Sequence, residues 1–250
     1  MGGRGSLSPN KHKMYNTATI KAYMNSKGVA VHGLNKVSRK GLSVVVEALE
    51  TLDTLQQKHG KRVENVLLGV NSGGDFSFSE LKTVKVKGGK EVKLKNTLII
   101  PIKTIEYGKA SLEKEVKYAN RNKIVVARNV KEMIYHEYGH ALHHSLKVSN
   151  PSAYNELERR FATLMKKKDS RVDLSMYAST KQYTKRSQTV EYVAESVVHI
   201  LRNTRTHKGA DMVDLVRNYV SLVPNSNIKL GITRGTSAKK TSGRKRTKKK

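Results

Sequence analysis

Met133-Ile134-Tyr135-His136-Glu137-Tyr138-Gly139-His140-Ala141-Leu142 is the stretch whose reading decides the fold. On a helix, residues four apart share a face, so His136 and His140 stand one above the other and can reach a single metal ion. Glu137 projects from the same turn. A carboxylate beside a metal-acidified water takes its proton and leaves a hydroxide-like nucleophile at neutral pH. The spacing is that of H-E-x-x-H, the metallopeptidase pattern.

With nine histidines in the chain, this short string arises by chance in roughly one or two chains per hundred of such composition, so its surroundings must carry the reading. Asn129 offers an N-cap and Glu132, three residues on, the acid of a capping box, which starts a helix at Val130 and runs it to about Lys147. Val130, Ile134, Tyr138, Ala141 and Ser145 fall on one side of that helix, with His136 and His140 towards an edge. Ahead of it, residues 123–127 (Lys-Ile-Val-Val-Ala) predict a short strand.

At 250 residues the chain has room for one substantial domain, expected over 16–232, with a flexible Gly-, Ser- and Lys-rich start over 1–15 and a basic tail over 233–250. No apolar run approaches ~20 residues, so no membrane span is expected, and the first residues do not read as a secretory signal. With no cysteine, disulfides and thiolate ligands are excluded, and any metal falls to His, Asp or Glu. The formal charge is +29, of which nine Lys and Arg lie in 234–250, leaving +20 on residues 1–233. Such a body attracts polyanions, and non-specific association with nucleic acid is expected through surface and tail.

Coarse periodicity supplies the rest. A weak helix is expected at 17–25. A stronger one, introduced by Ser38 and stopped by Gly60, carries Leu42, Val45, Val46, Leu49, Leu52 and Leu55 at three- and four-residue steps. Short β runs follow at 63–70, 76–78, 81–86 and 91–102, with turn signals at 71–74 and 87–89, the second implying a hairpin. Helices are expected at 110–120, from Asn150-Pro151 through Lys168, from Ser187 or Thr189 through Leu201, and from Asp211 to Val223, with 169–186 irregular.

Two histidines leave a metal short of a protein ligand. A third histidine six residues after His140 is ruled out, because that position is Leu146. His143 and His144 are close enough to join the shell or support it. Thr189-Val190-Glu191-Tyr192-Val193-Ala194-Glu195-Ser196 offers more: two carboxylates four apart on an otherwise apolar helix, costly to bury without a cation. From the residues alone, either Glu191 or Glu195 serves.

His136-Glu-Tyr-Gly-His140, then Leu174-Ser-Met-Tyr177-Ala, then Glu191-Tyr-Val-Ala-Glu195, in that order, resembles the catalytic domain of anthrax lethal factor and related metallopeptidase domains of bacteriophage and mobile-element proteins. The resemblance covers about residues 123–202. It implies an α+β, zincin-like fold: a small mixed sheet packed on the active-site helix, then a mostly helical part. It also implies Zn2+ held by His136, His140 and Glu191, with Glu137 as general base, Glu195 in support, and a tyrosine stabilising the transition state. Tyr177 has the family's neighbours but stands fourteen residues before Glu191, about twice the usual separation; Tyr183 has the better spacing and poorer neighbours.

The expected activity is therefore that of a gluzincin-type zinc endopeptidase acting on a protein or peptide substrate, of phage or mobile-element origin, in the host cytoplasm or the virion. Two other readings stand beside it. One is a protease for nucleic-acid-associated proteins, although the DNA-protein crosslink proteases use histidine where this chain offers Glu191. The other is a non-catalytic basic virion accessory protein.

Overall fold

A computed structural model describes residues 16–39, 41–70, 76–85, 89–166, 174–179, 185–204 and 209–229. Both termini, the turn at 71–74, most of the loop around Tyr183 and the basic tail lie outside the described residues. Eight α-helices and four strands are found among those described.

The chain opens with α1 (Thr17–Ser26), capped by the Asn16 side chain, which accepts from Ala18 N. Strand β1 (Ala30–His32) follows; at three residues it is too short for alternation to reveal in the sequence. Helix α2 (Leu42–His59) begins and ends where its apolar steps predict, with Ser38 Oγ accepting from Gly41 N at 3.2 Å one turn ahead. The β runs resolve into β2 (Asn65–Val70), β3 (Ser77–Lys85) and β4 (Glu91–Pro101). The runs expected at 76–78 and 81–86 are one strand, because Ser79 and Leu81 keep a single register, pairing with Thr97 and Lys95.

The sheet order is β1-β2-β4-β3, parallel except for the antiparallel β3–β4 hairpin, so β3 is an edge. Val66, Leu68, Leu98 and Ile100 point into the main core with the apolar stripe of α2. Leu67, Leu94 and Ile99 form a smaller cluster on the opposite face. Leu94 and Leu98 share parity yet separate, because Asn96 between them takes a left-handed backbone (φ 45°) that breaks the alternation.

The second half is helical: α3 (Ile102–Arg121), α4 (Val130–Ser149), α5 (Pro151–Leu164), α6 (Met176–Ser179), α7 (Lys185–Arg202) and α8 (Ala210–Val220). Helix α3 starts directly at the end of β4, eight residues earlier than expected. Asn150 ends α4 and caps α5, accepting from Ala153 N at 3.1 Å, with Pro151 in the first turn. Helix α5 ends at Leu164 rather than Lys168, and α8 at Val220 rather than Val223.

One expectation is overturned outright. Residues 123–127 are not a strand but an irregular strap between α3 and α4. Its backbone is spent on cross-links: Lys123 O and Ile124 O accept from Met176 N and Tyr177 N, both at 2.9 Å, and Asn120 Nδ2 donates to Val125 O and Val126 O. No sheet partner is left for it.

Helix α4 is the hub, touching β3, α2, α3, α5, α7 and α8. Its closest neighbour is α7. A Cβ on Gly139 would lie 2.8 Å from Ala194 Cα and 3.1 Å from Val197 Cβ, so only glycine lets these two helices approach this far. No helix among the described residues is long and apolar enough to cross a membrane.

Candidate metal centre

Helix α4 starts where the capping signals say, with Asn129 Oδ1 accepting from Glu132 N at 2.9 Å. Glu132 does not close the box on Asn129. Its carboxylate accepts from Arg128 N at 2.8 Å and receives the Arg202 guanidinium in a two-pronged bond, through Nε at 2.9 Å and through Nη2. Both side chains of that pair are about nine-tenths buried. The start of the motif helix is thereby tied to the end of α7.

The close α4–α7 packing brings His136, His140 and Glu191 together. His136 Nε2 and His140 Nε2 are 3.1 Å apart, and Glu191 Oε2 lies 3.3 Å from the first and 3.7 Å from the second. Donors around a tetrahedral ion with bonds of about 2.0–2.1 Å stand about 3.3–3.4 Å from one another, so this triangle has the dimensions of one coordination face. Glu137 also offers an oxygen within 4.8 Å of both imidazoles, while the Glu191 oxygen closes a triangle with them at 3.3 and 3.7 Å. The donor set fits a divalent ion in its electrostatics too. Glu137, Glu191 and Glu195 surround two imidazoles in a largely buried pocket, and Glu191 Oε2 is buried without a hydrogen bond among the described residues.

Titration behaviour reflects that excess of carboxylate. Burial pulls the His136 imidazolium down, but the Glu191 contact and the charges of Glu137 and Glu195 outweigh it and push the group up to about 9. His140 is driven well down, by burial and then by His136 and His143. The two imidazoles are thus driven apart, His136 favouring its protonated form and His140 its neutral one.

Glu195 stands behind the donors, fully buried. Its Oε2 accepts from Val126 N at 2.8 Å, while Oε1 is 3.8 Å from His136 Nδ1. Burial raises its carboxyl to about 7. It thus faces the ring nitrogen that a ligating histidine leaves for an orienting carboxylate. His140 Nδ1, by contrast, is buried without a hydrogen bond among the described residues.

His143 and His144 do not enter the donor set. His143 Nε2 is 3.6 Å from Glu158 Oε1 and its ring lies 5.0 Å from that of Tyr154; His144 Nδ1 is 3.0 Å from Glu80 Oε1 on β3. All four motif side chains, His136, Glu137, His140 and Glu191, line one cavity of about 290 Å³, walled by Phe76 just ahead of β3, by Phe78 and Glu80 of the β3 edge, by Tyr154 of α5, and by Tyr177. The Tyr177 ring is 6.3 Å from that of His136. Tyr183 lies outside the described residues.

Two contributors carry no signal in the sequence: the Val126 amide that holds Glu195, and Gly139, whose need for closeness appears only once α7 is in place. Comparison of the chain with protein-family models, with curated proteins and with solved structures returns no match.

Proposed function

We propose that the chain is a zinc-dependent endopeptidase with a zincin-like arrangement. The observation that carries this reading is the triangle of His136 Nε2, His140 Nε2 and Glu191 Oε2, with sides of 3.1, 3.3 and 3.7 Å, beside a buried Glu137 in an open cavity. Two imidazoles and one carboxylate leave a fourth position open, the usual composition of a catalytic zinc site. Zinc bound there supplies an acidified water and a centre that polarises a carbonyl.

The chain's own groups do the rest. Glu137 takes the proton of the attacking water and later hands it to the leaving amine, for which a carboxylate in the cavity but outside the donor triangle is suited. Tyr177 is the phenol that donates to the developing oxyanion. Glu195 fixes the His136 ring. The β3 edge at Ser77, Phe78 and Glu80 runs along the cavity with no further strand beside it among the described residues, and an extended peptide would add to the sheet there.

The test is zinc content and cleavage of an unfolded protein such as casein, in wild type and Glu137→Gln. Glu137→Gln is expected to keep its zinc while the rate falls by at least about 100-fold. Zinc binding with undiminished cleavage in that variant would remove Glu137 from its role.

A further inference from the structure

We infer that the outer face of α3 is a docking stripe for single-stranded nucleic acid. Lys114, Lys117, Tyr118 and Arg121 follow one another at helical spacing, and all four are exposed, whereas Leu112 and Val116 on the opposite side are buried. Exposed Lys123 continues the stripe past the helix end. Among the described residues the ion pair made by α3 is Lys109 with Glu47, on a different side of the helix, and none engages Lys114, Lys117 or Arg121. From Lys114 to Arg121 the helix rises about 10 Å, enough to follow a short run of successive phosphates.

Cations alone would hold any polyanion. What narrows the choice is Tyr118, whose ring is 67% exposed between them. A flat aromatic surface flanked by positive charge gives a base somewhere to stack while the phosphates on either side are neutralised, and stacking over a whole ring face is a contact that a base offers and a carboxylate does not. The stripe also has a position. Beyond Arg121 the chain enters the strap whose Lys123 and Ile124 carbonyls hold Met176 and Tyr177, the latter at the cavity wall. A protein carried on a bound strand would be delivered to the cleft; that consequence rests on the hydrolase reading, whereas the docking itself does not.

The experiment is anisotropy of a fluorescein-labelled single-stranded 20-nucleotide probe, titrated with the full chain over a range of salt. Replacing Lys114, Lys117 and Arg121 together by Ser should weaken binding at least tenfold and flatten the slope of log affinity against log salt by about 2, at roughly 0.7 per lost phosphate contact. Tyr118→Ala should weaken it about tenfold with the slope unchanged, and Tyr118→Phe should bind as wild type. Replacing Lys85, Lys93 and Lys95, an equal charge on the exposed face of the β3–β4 hairpin, should change little. The inference is overturned if the hairpin triple costs as much as the α3 triple, if Tyr118→Ala binds like wild type, or if the α3 variants lose binding to phosphatidylserine vesicles but not to the oligonucleotide. Because no metal or cleavage enters the assay, its failure and that of the peptidase reading are told apart.

Discussion

Gly139 sets how near the donors of α4 come to the donor of α7. A methyl group there meets the Ala194 backbone at 2.8 Å, and backbone cannot swing aside as a side-chain tip can. Gly139→Ala should therefore destabilise the fold by about 1–3 kcal/mol in urea unfolding. At an exposed helix position the same change would stabilise by about 1 kcal/mol, so the sign decides whether contact or propensity governs. The sequence displays this glycine inside H-E-x-x-H but cannot display what it touches. His199 makes a separate point. Burial, then Arg202 and Arg128, lower its imidazolium from the ordinary 6.5 to about 4. Between those values the unfolded chain binds a proton that the folded one refuses, so stability is whole above pH 6.5 and is lost as pH falls towards 4. Urea midpoints at pH 7 and pH 5 should show a smaller acid loss in His199→Gln than in wild type; equal losses would deny His199 that part.

At the scale of elements, the two motif helices are held in register by groups outside the motifs. The Arg202–Glu132 fork joins the end of α7 to the start of α4, and Arg202 Nη2 also donates to Val126 O at 3.1 Å. Arg202→Ala leaves a buried carboxylate unpaired and should cost about 3–5 kcal/mol in chemical unfolding; a loss below about 1 kcal/mol would mean the pair does not bear on the helix contact. Helix starts were legible because they are local: Asn129, Asn150 and the turn at Ser38 act within three or four residues. The strap at 123–127 was not, because an apolar run looks alike in a strand and in a buried connection, and its partners, Tyr177, Glu195 and Arg202, lie 50 or more residues away. Glu132 shows the same limit: its spacing announced a cap, and long-range pairing redirected its carboxylate.

For the molecule as a whole, the α+β class and the mostly helical second half follow from the change of hydrophobic period near residue 102, and the sheet order does not. Which strand lies at the edge depends on β1, three residues with no pattern of their own, pairing with β2 and so leaving β3 open beside α4. Candidate donors were legible as residue types, since a histidine pair at helical spacing offers two nitrogens to one ion and a carboxylate pair on an apolar helix calls for a compensating cation. Glu191 and Glu195 are told apart only by packing, which puts one oxygen among the imidazole nitrogens and the other behind them. The most direct test of that centre is an equilibrium zinc titration against a competing chelator, in wild type and Glu191→Ala. One zinc per chain is expected, with affinity falling at least about 100-fold in the variant, beyond what loss of a supporting group alone would cause. Absence of stoichiometric zinc in wild type, or equal affinity in Glu191→Ala, would contradict the account.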